Sequence, residues 1–491
     1  MYHSALCGCV HFQKLVCNDM AEDNYRIESD LLGSKEVPAE ALYGVQTLRA
    51  IENFHISGRL MSEYPNFIKG MAITKKAAAM ANLEVGMITA QQAEAICQAC
   101  DELLAGRHHD QFPIDMIQGG AGTSTNMCAN EVIANRSLEL MGHKRGQYEY
   151  CSPNDAVNAS QSTNDAYPCA IHMALFLEHE QFLPHLQSMI EALDRKSAEF
   201  AHIIKMGRTQ LQDAVPMTLG QTFGGFAASL RGEVRTLNMA AREFLTVNMG
   251  ATAIGTGICS KPGYSEACIK ALRKVSGWNV NLADNLIEAT SATSCMIQYS
   301  SALKRLSIKI NKMCNDLRLM SSGPRCGLNE IHLPERQPGS SIMPGKVNPV
   351  IPEVMNQVCY KVIGNDMCIT FASDNGQLEL NVMEPVIAYS LFESIHLMIQ
   401  GLDTLRTFCI DGIVANEERC RQLVEHSIGI VTVLNPIIGY KKSTAIAKEA
   451  SETGRGVYEL VLEHGLLDKE QLDRILRPEN MLKPVDIKME K

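Results

Sequence analysis

Two long series of apolar residues recur at steps of three and four in the middle of the chain. The first runs from Leu219 to Phe244 and the second from Met296 to Met320. Such steps place side chains on one face of an α-helix, which has 3.6 residues per turn. The second series ends just before Gly323-Pro324, a pair typical of a helix terminus. Each series therefore predicts one long helix whose apolar face packs into a core.

The spacing of prolines leaves room for more helices of this length. No proline falls between Pro262 and Pro324, or between Pro352 and Pro385. Helices of roughly 25 to 35 residues are much longer than the globular mean of about 11 to 12, and they usually pack side by side. We therefore predict an all-α fold with a central bundle of long helices. The apolar series themselves carry no chemistry.

Size and charge exclude several classes of protein. The chain has 491 residues, 46% of them hydrophobic, which gives a prior near three domains and ample material for a core. The net charge is −10 and the basic residues are scattered, so we expect no nucleic-acid partner. No uncharged stretch reaches 18 residues, so we expect no membrane span.

Cysteine usage and the first residues bear on the compartment. The 17 cysteines are scattered and odd in number, unlike a disulfide framework, and the start lacks the charged and apolar parts of a secretory signal. We expect a cytoplasmic protein. Residues 1–24 are interpreted as a flexible extension, in which Cys7, Cys9 and Cys17 match no standard zinc spacing and Met20 is an alternative start. The lone CxxC at Cys97 and Cys100 predicts neither a zinc nor a redox site.

Four segments rich in Gly, Ser, Thr and Asn interrupt the helical pattern. Turns of this composition offer backbone N–H and side-chain O–H donors, and those at helix starts suit an anion. Each segment alone could equally be a helix-capping loop. The segments are QGGAGTSTN at 118–126, SQSTND at 160–165, GRTQLQD at 207–213 and PGSSIMPGKVNP at 338–349.

The four segments together favour a site for a small dicarboxylate. They contain no His or Cys, and their only carboxylates are Asp165 and Asp213, so a metal hydrolase or a Cys–His site lacks its parts. No Gly-Lys-Ser or Gly-Lys-Thr follows the first segment, which excludes a phosphate loop. The cations are Lys346 and, as a further candidate, Arg208. Neutral donors with few cations suit a dicarboxylate.

The segment at 339–349 resembles the signature loop of the aspartase/fumarase superfamily, and the other three segments match that family in the same order. The resemblance extends from about residue 25 to about residue 481. It is closer to the aspartate ammonia-lyases than to the fumarate hydratases, because Gln210 follows Thr209 where similar fumarases have His. Some aspartases also carry His there, so Gln210 argues only against a fumarase.

The resemblance implies reversible deamination of L-aspartate to fumarate and ammonia. Proton removal from Cβ gives an aci-carboxylate, and ammonia then departs from the neighbouring carbon. Ser340 is implied as the general base. The other implied contacts are Thr123, Ser162, Thr163 and Ser341 to the β-carboxylate, Lys346 and Asn348 to the α-carboxylate, and Thr209, Asn164 and Gln210 to the amino group. No metal ligand is implied.

The resemblance also implies an architecture. It comprises an N-terminal helical domain at 25–162, a central bundle at 163–417 and a C-terminal helical domain at 418–491, in a homotetramer whose active sites draw the four loops from three subunits. No cofactor is required, and activation by a divalent cation, as in some family members, stays open. The alternatives are a fumarate hydratase or a non-catalytic helical assembly protein, although a scaffold has no need of Ser340, Lys346 and Asn348.

Overall fold

The computed structural model describes residues 24–482 and consists mainly of helices joined by short loops. The predicted extension, with Cys7, Cys9, Cys17 and Met20, lies outside the described residues. The helices are α1 (Val45–Asn53), α2 (Pro65–Glu84), α3 (Ala90–Leu104), α4 (Thr123–Leu140), α5 (Thr163–Glu199), α6 (Leu219–Arg242), α7 (Tyr264–Ser276), α8 (Leu286–Ser291), α9 (Ser294–Met320), α10 (Val350–Asp374), α11 (Glu384–Phe408), α12 (Glu417–Glu425), α13 (Val431–Ile438), α14 (Tyr440–Thr453), α15 (Val457–Glu463), α16 (Lys469–Ile475) and α17 (Pro478–Met481).

The strands are few and short, so the all-α prediction is confirmed. A π-helical turn covers Pro153–Val157. The strands are β1 (Tyr25–Asp30), β2 (Gly33–Pro38), β3 (Ile204–Thr209), β4 (Gln212–Thr218), β5 (Thr246–Val247), β6 (Asn281–Leu282), β7 (Ile331–His332) and β8 (Val414–Ala415).

Both apolar series form the predicted helices. The first is α6, which starts with a capping box in which Thr218 Oγ1 accepts the N–H of Gln221 at 3.0 Å. The second is α9, which ends at Met320 ahead of Gly323-Pro324. Their apolar positions are buried, except that Val234 is half-buried, as the periodicity predicts for one helix face.

The described chain divides into two compact units, and α5 continues from one into the other. The first unit contains the residues up to Ile171 together with Asn248–Thr290. Within it, α2 packs against α3, α4 and α7, and β1 pairs with β2 as an antiparallel hairpin. The Ala-rich α2 is buried along most of its length.

The second unit contains His172–Val247 and the residues from Ser291 onward. Here α9 packs against α6, α10 and α11, which confirms a bundle of long helices. Helices α13 to α16 share a separate small apolar core that includes Leu434, Leu460 and Leu472. The domain limits at 162/163 and 417/418 stay predictions. Within residues 24–482, no helix is long and apolar enough to cross a bilayer.

Candidate active site

The glycine-rich segment before α4 turns the chain so that Thr123 becomes the first residue of the helix. Gly120, Ala121 and Gly122 all adopt positive φ, at 90°, 55° and 86°. A Cβ at Gly122 would lie 2.4 Å from the ring of Tyr167, so the position has no room for a side chain. Thr123 is exposed, and its Oγ1 donates to the carbonyl of Gly120 at 2.8 Å. This hydroxyl must rotate to reach a ligand.

The segment before α5 presents three predicted side chains in sequence. The Ser162 hydroxyl accepts the N–H of Asn164 at 3.3 Å. The Asn164 side-chain N–H donates to the carbonyl of Ala253 at 2.7 Å, which leaves the amide oxygen as the acceptor for a ligand. Thr163 Oγ1 accepts from the side-chain N–H of Asn126, on the second turn of α4, at 3.2 Å. A hydroxyl that accepts in this way keeps its own proton for donation.

Asp165 holds this segment in place. Its carboxylate is fully buried and accepts the backbone N–H groups of Ser162, Gly250 and Thr252 at 2.9 to 3.1 Å. Burial raises the pKa of Asp165 to about 6, while these donors and the charge of Lys75 act in the opposite direction. Asp165 therefore stabilises the start of α5 through hydrogen bonds to backbone N–H groups.

The first unit thus brings Thr123, Ser162, Thr163 and Asn164 to the N-terminal ends of α4 and α5. The first N–H groups of a helix lack intrahelical partners, and its dipole is positive at this end. Both properties favour a bound carboxylate.

Thr209 and Gln210 lie at the turn between β3 and β4. Thr209 pairs with Gln212, so Gln210 and Leu211 form a two-residue turn with φ of 54° and 61°. Such turns normally contain Asn and Gly, because positive φ is costly for other residues. Both residues are exposed. Strain retained in an exposed turn is typical of a functional site.

Arg208, the further candidate cation, pairs with a buried carboxylate, which the sequence did not predict. Its guanidinium pairs with the buried carboxylate of Glu330 at 2.8 Å, and Lys205 pairs with the same carboxylate at 3.0 Å. A carboxylate buried in the core requires such partners. Arg208 is therefore part of a structural ion pair.

The segment at 338–349 forms an exposed loop that is closed at its base. The N–H of Gly339 donates to the carbonyl of Lys346 at 2.7 Å, and the Asn348 side chain donates to the carbonyl of Gly339 at 2.8 Å. A Cβ at Gly339 would lie 2.7 Å from the Lys346 carbonyl oxygen, which explains the glycine. Asn348 thus closes the loop with one N–H and keeps a second for a ligand. Ser341 and Lys346 lie exposed between these ends.

Ser340 lies near the start of this loop, and its hydroxyl oxygen accepts two hydrogen bonds. Its Oγ accepts the backbone N–H groups of Ile342 and Met343 at 3.2 and 3.1 Å. Two N–H donors aimed at one oxygen stabilise it as an alkoxide, as in an oxyanion hole. Ile342 is 83% exposed, so the apolar tip of this loop is open to a further surface.

The residues of the described range do not build a metal centre from His, Cys, Asp and Glu side chains. Cys97 and Cys100 lie on α3 as free thiols, and burial raises the pKa of both. The expectation that no cofactor is required stays a prediction.

Sequence reasoning missed the side chains that support these loops from behind. They are Lys75 on α2, Asn126 on α4 and Asn158 after the π-helical turn. Asn126 ends the first polar segment and Asn158 shortly precedes the second, so proximity could have indicated both. The sequence did not indicate that Lys75 is buried, because a pair of lysines in an Ala-rich helix normally faces solvent. In the structure only Lys76 does so in part.

Comparison with known proteins matches nearly the whole chain. A family model described as Lyase matches residues 33–364, and one described as Fumarase C C-terminus matches residues 430–483. The aspartate ammonia-lyase of Pseudomonas fluorescens is 58% identical, covering 94% of this chain and 97% of its own. Those of Helicobacter pylori strain 26695 and Escherichia coli strain K12 are 54% identical, covering 95% and 94% of this chain and 100% and 97% of theirs.

Solved structures agree with this result. A cobalt-bound protein titled fumarate lyase:delta crystallin, from Brucella melitensis, superposes with a TM-score of 0.91 at 48% identity, over 94% of this chain and all of its own. A recombinant class II fumarase from Schistosoma mansoni superposes at 0.88 and 35% identity, over 93% and 99%. One family model covers more than half of the chain, and relatives above 50% identity match it over nearly its full length. The chain therefore belongs to the lyase family that includes the aspartate ammonia-lyases.

Proposed function

We propose that this protein is an aspartate ammonia-lyase that interconverts L-aspartate with fumarate and ammonia. The observation that carries the proposal is Ser340, whose Oγ accepts two backbone N–H groups in an exposed loop. The identity of 54 to 58% to relatives of this name, over nearly the full length, supports the same reaction.

Ser340 removes a proton from Cβ of L-aspartate. A serine hydroxyl is a poor base in water, so its conjugate alkoxide must be stabilised before it can act. The N–H groups of Ile342 and Met343 supply part of this stabilisation, and the cation of Lys346 in the same loop adds to it.

Proton removal places extra negative charge on the β-carboxylate, and hydroxyl donors stabilise this aci-carboxylate. Thr163 and Ser162 each accept an N–H, so their own protons are free for this purpose. Thr123 and Ser341 complete the set. The bonds that Thr163 and Ser162 accept hold these two hydroxyls in place before the reaction, and donors held in this way stabilise developing charge without reorganisation.

The remaining residues hold the two groups on Cα. Lys346 and the second N–H of Asn348 bind the α-carboxylate. The Asn164 side-chain oxygen accepts from the ammonium group, together with Thr209 and Gln210 at the strained turn. Once the ammonium leaves as ammonia, the product is fumarate.

The proposed assembly is a cytoplasmic homotetramer whose sites combine loops from three subunits. The first unit holds Thr123, Ser162, Thr163 and Asn164, and the second holds Thr209, Gln210, Ser340, Ser341, Lys346 and Asn348. The proposal includes no nucleic-acid partner and no required organic cofactor. A divalent cation is tested as an activator by adding magnesium or a chelator.

The test is a direct assay of two substrates. We expect purified protein to produce the ultraviolet absorbance of fumarate from L-aspartate, with release of ammonia. We expect L-malate to give no more than about a thousandth of that rate, since the ammonium contacts are built for a cation and not for a hydroxyl. Turnover of L-malate without turnover of L-aspartate would instead identify a fumarate hydratase, and turnover of neither would support an assembly protein.

A further inference from the structure

Lys75 is a fully buried lysine on α2 that no step of the proposed reaction uses. Its ammonium donates to the side-chain oxygens of Asn158 at 3.1 Å and Gln161 at 2.9 Å. Both acceptors are neutral amides. Desolvating a cation costs several kcal/mol, and amide oxygens offset this less well than a carboxylate does.

The side-chain oxygen of Asn158 accepts three hydrogen bonds. Its side-chain oxygen accepts from Lys75 and from the side-chain N–H groups of Asn126 and Asn130, each at 3.1 Å. Its own side-chain N–H donates to the backbone carbonyl of Gln161 at 3.2 Å. Asn158 thus connects α2 and α4 to the segment that leads into α5.

Asn126 continues this connection to the proposed substrate site. Its side-chain nitrogen donates both to Asn158 Oδ1 at 3.1 Å and to Thr163 Oγ1 at 3.2 Å. The NH₂ group has two protons, so both bonds form at once only when the amide lies between the two oxygens. We call Lys75, Asn158 and Asn126 the amide relay.

We propose that Lys75 is a positioning residue for the lyase reaction, which acts through the amide relay to fix the orientation of the Thr163 hydroxyl. The relay keeps Asn126 as a donor to Thr163, so that the Thr163 proton faces the substrate carboxylate. This inference rests on the proposed function. Lys75 does not touch the substrate.

The chemistry of the site explains why lysine occupies this position. An apolar side chain would fill the space without the desolvation cost, but it would leave the side-chain oxygen of Gln161 without its lysine donor and that of Asn158 with two donors instead of three. Burial lowers the pKa of Lys75 to about 7, while the charge of Asp165 opposes this shift. Both forms of the amine donate hydrogen bonds, so the relay persists in either state.

The test is a double-mutant cycle with Lys75→Met and Thr163→Val. Methionine keeps the length of the side chain and removes every donor. We expect Lys75→Met to lower kcat for L-aspartate at least about 30-fold while KM changes less than about 3-fold, since the Thr163 bond strengthens in the transition state. In the Thr163→Val background the same change should lower kcat less than about 3-fold, because the hydroxyl it orients is gone.

A matched control is Lys76→Met on the same helix. Lys76 is half-exposed and pairs with Asp101 on α3, outside the relay. We expect kcat and KM within about 2-fold of wild type. Equal losses from Lys75→Met in both backgrounds would overturn the proposal, because a lysine that only stabilises the fold acts independently of Thr163.

A second variant covers the case in which Lys75→Met does not fold. Asn126→Asp keeps the shape of the side chain but makes it an acceptor, so the Thr163 proton turns toward Asp and away from the substrate. We expect a loss of kcat of at least about 30-fold, and kcat near wild type would contradict the relay. If wild-type protein turns over L-malate and not L-aspartate, the function is wrong and the same cycle is measured with L-malate.

Discussion

The hydroxyl oxygens of Ser162, Thr163 and Ser340 share one property, which is that each accepts an N–H from a neighbour. At Ser162 and Thr163 one bond occupies the oxygen and leaves the proton for a ligand. At Ser340 two backbone N–H groups converge, which favours loss of the proton. In the proposed mechanism, serine thus serves as a donor at position 162 and as the base at position 340.

Replacement of the proposed base tests this assignment. We expect Ser340→Ala to lower kcat for L-aspartate by at least about a thousandfold, because the proposed mechanism assigns removal of the Cβ proton to the Ser340 hydroxyl. Substrate affinity should change little, since Ser340 does not bind either carboxylate. Equilibrium binding of fumarate and steady-state kinetics measure the two effects. Near-normal turnover by the Ser340→Ala enzyme would contradict the assignment of Ser340 as the base.

Lys346→Ala is the counterpart in the same loop. We expect KM to rise at least about tenfold, because a cation that pairs with the α-carboxylate in both ground and transition states contributes mainly to binding. An unchanged KM in Lys346→Ala would contradict the assignment of this lysine to the α-carboxylate.

Glu384 predicts a dependence of stability on pH. This first residue of α11 is buried, and burial raises the pKa of its carboxyl from 4.5 to about 8. Between these values the folded state binds more protons than the unfolded state, so stability falls as pH rises through this window. We expect Glu384→Gln to remove this loss and to exceed the wild-type Tm by at least about 3 °C at pH 8.5.

The comparison is made at several pH values. At pH 4.5 and below, the wild-type carboxyl is protonated in the folded state, so the two proteins should melt within about 1 °C of each other. A constant difference between their Tm values from pH 5 to pH 8.5 would contradict the titration of Glu384.

At the scale of elements, helix starts position the proposed site. Thr123 opens α4 and Thr163 opens α5, while Asp165 and Asn126 fix the two helix starts through hydrogen bonds. The connecting segment before α4 depends on Gly122, which lies against the ring of Tyr167. The position of Thr123 therefore depends on a residue without a side chain.

Gly122→Ala tests this dependence, with Gly120→Ala as a matched control. Both glycines have φ near 90°, but a Cβ at Gly120 meets only Thr123 Cβ at 4.0 Å, whereas at Gly122 it overlaps Tyr167. We expect Gly122→Ala to reduce kcat/KM at least about tenfold more than Gly120→Ala and to lower Tm further, because steric overlap adds to backbone strain. Equal effects on kcat/KM and Tm would show that backbone strain alone matters.

At the scale of the whole molecule, the two sets of proposed site residues belong to different units of the chain. Closed symmetric assemblies allow loops of different subunits to complete one site. The proposed tetramer therefore predicts that two inactive variants, each defective in a different loop, regain activity when they assemble together. No such recovery is expected if each subunit contains a complete site.

Complementation measures this directly. Chains with Thr163→Val and chains with Ser340→Ala should each be inactive, and co-expression of both should restore about a quarter of wild-type activity, since random assembly gives that share of sites with both loops intact. Light scattering should show four chain masses. No recovery in a tetramer that contains both chains would place the two loops of each site in one subunit.

The sequence by itself determined the long helices and the composition of the site. The three- and four-residue periodicity of α6 and α9 is a local property, because burial of one helix face needs only the spacing of apolar residues. The four polar segments were visible for a similar reason, since Gly, Ser, Thr and Asn mark turns and helix starts whatever lies around them.

Only the tertiary structure decided which polar side chains face the site and which support it. Arg208 pairs with Glu330, which lies 122 residues away in the sequence, and Lys75 donates to Asn158, which lies 83 residues away. The composition of a segment does not specify such pairings, because the free energy of a buried charge depends on partners that the fold alone brings within reach.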